Sequence, residues 1–109
     1  QLKDGVVAWG LSKEIWWAIE VSYAHICTAP YVMEHLFTIT SGRDGVHGDA
    51  SLHYTGNAFD FRTWYWPRSI QERLVLDLME KLGSEYDVIL EKDHMHIEYD
   101  SRPKLKEAA

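Results

Sequence analysis

The window "DHMHIEY" (Asp93 to Tyr99) restricts the fold more than any other stretch, because its residues alternate in character without a break. In an extended chain His94, His96 and Glu98 fall on one side, and Met95, Ile97 and Tyr99 on the other. Asp93 belongs by parity with the second set. That pattern fits a strand with one face on an apolar core and one polar face. The segment just before it, "DVILEK" (Asp87 to Lys92), reads as a second strand, and the two join as a hairpin around Lys92 and Asp93. If Lys92 and Asp93 form a two-residue turn, Glu91 pairs opposite His94, and directly paired residues project to the same face. Glu91, His94 and His96 then converge.

The rest of the chain supplies elements for such a hairpin to pack on. A first helix is predicted from about Ser12 to Thr28, with Ser12 as its cap, Glu14 in its first turn and Pro30 just beyond its end. Ile15, Ile19 and Ile26, with Trp16 and Tyr23, give it an apolar stripe. "LFTIT" (Leu36 to Thr40) and "AFDFR" (Ala58 to Arg62) read as strands, and Ser41 to Ser51 as a loop rich in Gly, Asp and Ser. "PRSIQERLVLDLMEKLG" (Pro67 to Gly83) reads as a second helix. Ser69 with Glu72 resembles a capping box, Ile70, Leu74, Leu78 and Leu82 share a face, and Gly83 is the stop. The order helix, strand, loop, strand, helix, hairpin predicts an α+β domain with two main helices and a small, mostly antiparallel sheet. With 109 residues, the span 1–109 is expected to be a single domain.

Charge and composition narrow the partners. A net charge of −6 disfavours a sequence-independent nucleic-acid binder, which needs a basic face. No apolar run is long enough to span a bilayer, and "QLKDGVVAWG" has no basic segment followed by an apolar core, so neither a membrane span nor a signal peptide is expected. The localisation stays open, and a monomer is expected. Cys27 is the sole cysteine, which excludes an internal disulfide. It falls in an apolar helical run and is expected to be a buried, inert thiol.

A second window, "SLHYTGNAFDF" (Ser51 to Phe61), holds His53 and Asp60 seven residues apart, which is no helical spacing. Gly56 between them permits a sharp turn. A loop histidine and a strand aspartate could meet the final strand at one point. His, Asp and His then make three ligands suited to Zn²⁺, with the fourth position open to water as in catalytic sites. The plainer reading is that two alternating histidines on a strand form a solvated face. His25 and His35 lie outside both windows and read as structural or exposed, and His47 as a solvated loop residue near the site.

"SLHYTGNAFD" fits the pattern SxHxxGxAxD with Ser51, His53, Gly56, Ala58 and Asp60 in place, and "HMH" fits an HxH element. With both motifs in this order, the chain resembles the zinc D-Ala-D-Ala carboxypeptidase and murein endopeptidase family, whose fold the Hedgehog signalling domain shares. The resemblance spans about Thr38 to Tyr99. It implies zinc bound by His53, Asp60 and His96, and hydrolysis of an amide bond in a peptidoglycan stem peptide. It also implies a general base just before the last ligand. Glu91 lies five residues before His96 and Asp93 three before it, and both spacings occur among relatives. The strand-face argument ranks Glu91 first, with Asp93 as the alternative or as a residue that orients His94. By the same resemblance His94 could stabilise an oxyanion, Arg43 in "TSGRDG" could bind a substrate carboxylate or polarise a carbonyl, and Ser51 could bond a ligand from behind. The aromatic run Trp64 to Trp66 could wall a groove or pack on the second helix. The alternative from another class is a zinc-stabilised binding module without turnover.

Overall fold

The computed structural model describes residues 1–6, 10–42 and 56–100. Their elements are α1 (Lys13–Thr28), β1 (Ile39–Ser41), β2 (Ala58–Arg62), α2 (Arg68–Leu82), β3 (Tyr86–Leu90) and β4 (His94–Tyr99). The four strands form one antiparallel sheet in the order β1-β2-β4-β3. The architecture is therefore the small α+β domain that the sequence predicts. No helix among the described residues is long and apolar enough to cross a membrane.

Helix α1 begins where Ser12 stands in extended conformation and its Oγ accepts the Ile15 N–H at 3.1 Å. It ends where Ala29 N–H donates to His25 O at 2.8 Å, one residue before Pro30. Its buried face is Ile15, Ala18, Ile19, Ser22 and Ile26. Trp16 and Tyr23 depart from the predicted stripe, at 44% and 54% exposed. Each directly follows a residue of the buried face, Ile15 or Ser22, and so lies about 100° further round the helix. Tyr23 instead leans on Phe37, with ring centroids 5.8 Å apart. Cys27 follows Ile26 in the same way and is half-buried rather than buried, beside the Tyr23 hydroxyl.

Helix α2 starts earlier than a Ser69 cap requires. Pro67 holds the cap position and no side chain caps the helix, so Ser69 sits inside the first turn and the predicted capping box does not form. The start is anchored from Gln71, whose buried amide donates to Thr63 O at 3.0 Å and Trp66 O at 2.7 Å. Leu74, Leu78 and Leu82 face the core as predicted, and Gly83, at φ 94°, ends the helix. Strand β1 is shorter than the predicted Leu36–Thr40. Phe37 O accepts from the Gln1 ammonium, and the strand begins only at Ile39, with an irregular register to β2 between Ile39 and Ser41. The outer edge of Ile39 is occupied by the first residues: Ile39 N–H donates to Gln1 O and Lys3 N–H to Ile39 O.

The core lies on the face of the sheet that carries Phe59, Phe61, Met95 and Ile97, which are all fully buried with Ile15, Ile26, Leu74 and Leu78. Each such side chain contributes about 1.5–3 kcal/mol through burial. The turn into β2 is fixed against α1. Gly56 has φ 82°, its carbonyl accepts Ser12 N–H at 2.9 Å, and a Cβ there would collide with Gly10 O. Both the left-handed backbone and the close approach demand glycine. Gly56→Ala is expected to destabilise the fold by about 3 kcal/mol, seen as a lower urea midpoint at unchanged m-value. A midpoint equal to that of the wild type would show that the contact is not needed.

Candidate functional site

On its other face the sheet sets polar residues opposite each other. The register of β2 and β4 pairs Ala58 with Glu98, Asp60 with His96, and Arg62 with His94. Cross-strand partners point the same way, so one row of side chains comes from each strand. Asp60 is buried, and its Oδ1 lies 2.8 Å from His96 Nδ1. The other nitrogen of that ring, Nε2, lies 2.8 Å from Glu98 Oε1. His94 Nε2 stands 3.8 Å from Asp60 Oδ2, and His94 Nδ1 2.8 Å from Asp93 Oδ1. Acid and imidazole thus alternate along the row: Asp93, His94, Asp60, His96, Glu98.

This arrangement sets the charges. Burial alone would lower the His96 pKa, but hydrogen bonds to Asp60 and Glu98 and the charges of both carboxylates outweigh it and raise it to about 9. Without a metal, the ring is an imidazolium that donates from both nitrogens. The hydrogen bond from His94 is the largest influence and, helped by the charge of that ring, holds the Asp93 carboxyl below the usual carboxylate range against the opposing effect of burial.

Beside the row lies a cavity of about 310 Å³, lined by Lys3, Thr40, Ser41, Asp60, Arg62, Trp64, Asp93 and His94. The structure therefore brings together Asp60, Asp93, His94 and His96 of the residues singled out from the sequence. The two-residue turn is present: Leu90 pairs with Met95, and Glu91 N–H donates to His94 O at 2.8 Å. Glu91 is exposed and is not among the residues that line the cavity, and its carbonyl accepts from Arg68 Nη1. Asp93 departs from the parity of β4, because it stands in the turn and its carboxylate reaches the His94 ring. Arg43, His47, Ser51 and His53 lie outside the described residues.

The aromatic run divides. Trp66 is buried and donates from Nε1 to Glu34 O, while Trp64 is 61% exposed and lines the cavity. His25 is bound to Tyr31 and Asp77 between the helices, and His35 Nε2 to Val32 O. Sequence reasoning passed over Arg62 and Lys3. Arg62 was legible as the residue two beyond Asp60 on the same strand, hence on the same face. Nothing in the sequence marked Lys3, because its position follows from a bridge of Leu2 to Ile39.

Asp60 and His96, two of the three expected ligands, meet at one point, and the carboxylate of Glu98 braces the far nitrogen of His96. A carboxylate in that place is what metal-ligating histidines usually have. The donor chemistry fits Zn²⁺ with His96 Nδ1 and Asp60 on the metal side. Among the described residues no group of three His, Cys, Asp or Glu side chains completes a site, and the third expected ligand is His53. No family model matches the chain, and neither does any curated protein or solved structure.

A pH dependence follows for the metal-free protein. The folded pKa of His96, about 9, is above the ordinary 6.5. Its stabilising contribution is thus complete below about pH 6.5 and is lost as pH rises through about 9. Chelator-treated protein should have a lower urea midpoint at pH 10 than at pH 6, and His96→Asn should reduce that difference. A difference unchanged by the substitution would remove His96 as its source.

Proposed function

We propose that this domain is a zinc-dependent peptidase that hydrolyses an amide bond in peptidoglycan stem peptides. The observation that carries the reading is the contact of the Asp60–His96 pair with the Asp93–His94 pair beside one cavity. The SxHxxGxAxD and HxH motifs lend it support. In this reading His53, Asp60 and His96 hold the metal. Bound zinc supplies an activated water at neutral pH and positive charge near the carbonyl oxygen.

The chain's own groups do the rest. Asp93 is ionised at neutral pH and lines the cavity, so its carboxylate accepts the proton of the attacking water and returns it to the leaving amine. Asp93 also holds Nδ1 of His94 and so orients the ring. When the ring carries both protons, His94 Nε2 donates to a carbonyl oxygen as negative charge develops there. Geometry favours Asp93 over Glu91 as the base, since Glu91 is not part of the cavity lining. Arg43 stays a proposed ligand for substrate through the resemblance alone.

Purified peptidoglycan should be cleaved by the protein, less so after chelation, and again after zinc is restored. His96→Ala should lose the zinc. Asp93→Asn should keep zinc and fold and lower turnover by about 10²-fold or more, with a smaller effect from Glu91→Gln. The reverse order would return the base to Glu91. Zinc binding without turnover on any stem peptide would favour the zinc-stabilised binding module.

A further inference from the structure

The cavity is not uniform in charge. Its lining carries Asp60, Asp93 and His94 together with two cations, Arg62 and Lys3. Lys3 is held there by its backbone, which bonds to Ile39 O at 2.9 Å on the outer edge of β1. Arg62 is paired across the strands with His94, so its guanidinium belongs to the same face as the acid and imidazole row. Trp64 lies beneath that guanidinium, 5.7 Å from its central carbon to the ring centroid. Such a contact steadies a cation and leaves its N–H groups unspent. Among the described residues Arg62 enters no ion pair. The cavity, about 310 Å³, has the size of a small-ligand site.

We propose that Arg62, with Lys3 beside it and Trp64 as an apolar wall, binds a free carboxylate of the peptide substrate and thereby fixes which amide reaches Asp60, Asp93 and His94. The proposal rests on the peptidase reading and adds the specificity of the same site. Arginine suits the task because its planar fork meets a carboxylate with two parallel hydrogen bonds. A neutral amide in place of that carboxylate can accept from the fork but brings no charge, so most of the gain is lost. A stem peptide offers such a group in two places, at a terminal D-alanine and at the carboxyl group of its D-glutamate. The chemistry sought by Arg62 is common to both, and two pairs of probes separate them.

The experiment titrates the full chain, with and without added zinc, and follows the His94 and His96 ring resonances by NMR. One probe pair is N-acetyl-D-alanyl-D-alanine and its C-terminal amide. The other is N-acetyl-L-alanyl-D-glutamate and the corresponding D-isoglutamine peptide. In at least one pair the acid should bind about tenfold or more tighter than the amide. Arg62→Gln should bring that ratio close to one, and Arg62→Lys should keep part of it. Preference within the first pair places the terminal carboxylate on Arg62, and within the second the D-glutamate carboxylate. Equal binding of acid and amide in both pairs, or a ratio that survives Arg62→Gln, overturns the proposal. Acid preference lost in Arg62→Gln, in a protein with no turnover on any stem peptide, would leave the carboxylate subsite standing and sink the peptidase reading instead.

Discussion

The pairing of β2 with β4 is the constraint on which everything else in this domain depends. Phe59 lies opposite Ile97 and Phe61 opposite Met95, all four fully buried on one face. Because side chains alternate, the same register sets Asp60 opposite His96 on the other face. A slip by one residue would drive two histidines and a glutamate into the core and bring Met95 and Ile97 out to solvent. The hydrophobic effect thus places the polar row, because the register that buries the four apolar side chains is also the one that faces the polar ones. The row's own hydrogen bonds, each with a net worth of about 0.5–3 kcal/mol, then fix ring orientation within a position the core has already chosen.

This division explains what could be read from the sequence. The faces of β4 were legible because alternation is a local property, and Met95 and Ile97 are buried while His94 and His96 are not. The hairpin around Lys92 and Asp93 was legible from the two flanking β-forming runs, and the pairing of Glu91 with His94 follows once the turn has two residues. Direction at the turn was not legible. Parity assigns Asp93 to the core side, but a residue in a turn is freed from strand parity, and a histidine neighbour draws its carboxylate to the polar face. The same limit applies to Ser69, whose capping role failed because Pro67 took the cap position one turn boundary earlier. Trp16 and Tyr23 were read into the stripe on hydrophobicity, although the 3.6-residue period places them beside it. The face of Arg62 was legible from its spacing to Asp60, but its role was not. Its significance is a property of the cavity, which draws residues from ahead of α1, from three strands and from a turn.

Alternating acids and imidazoles make the row economical with charge. His96 lies between Asp60 and Glu98, and His94 between Asp93 and the same Asp60, so each negative group has a cationic or proton-sharing neighbour. A cation held between Asp60 and His96 would replace a proton already shared at that point, without a new buried charge of the same sign. The ring would not need to turn, because Glu98 already holds its other nitrogen.

The 36 residues that separate Asp60 from His96 carry a kinetic meaning. The β3–β4 hairpin closes across two residues, and both helices can form from local contacts, so these parts acquire their shape early. The β2–β4 ladder must wait for a long loop to close, with α2 folded inside it. An incompletely folded chain can therefore display both histidines on a finished hairpin and still lack the aspartate that faces them. The row assembles only when the longest-range pairing in the sheet is made, and its presence is a report that the whole domain has folded.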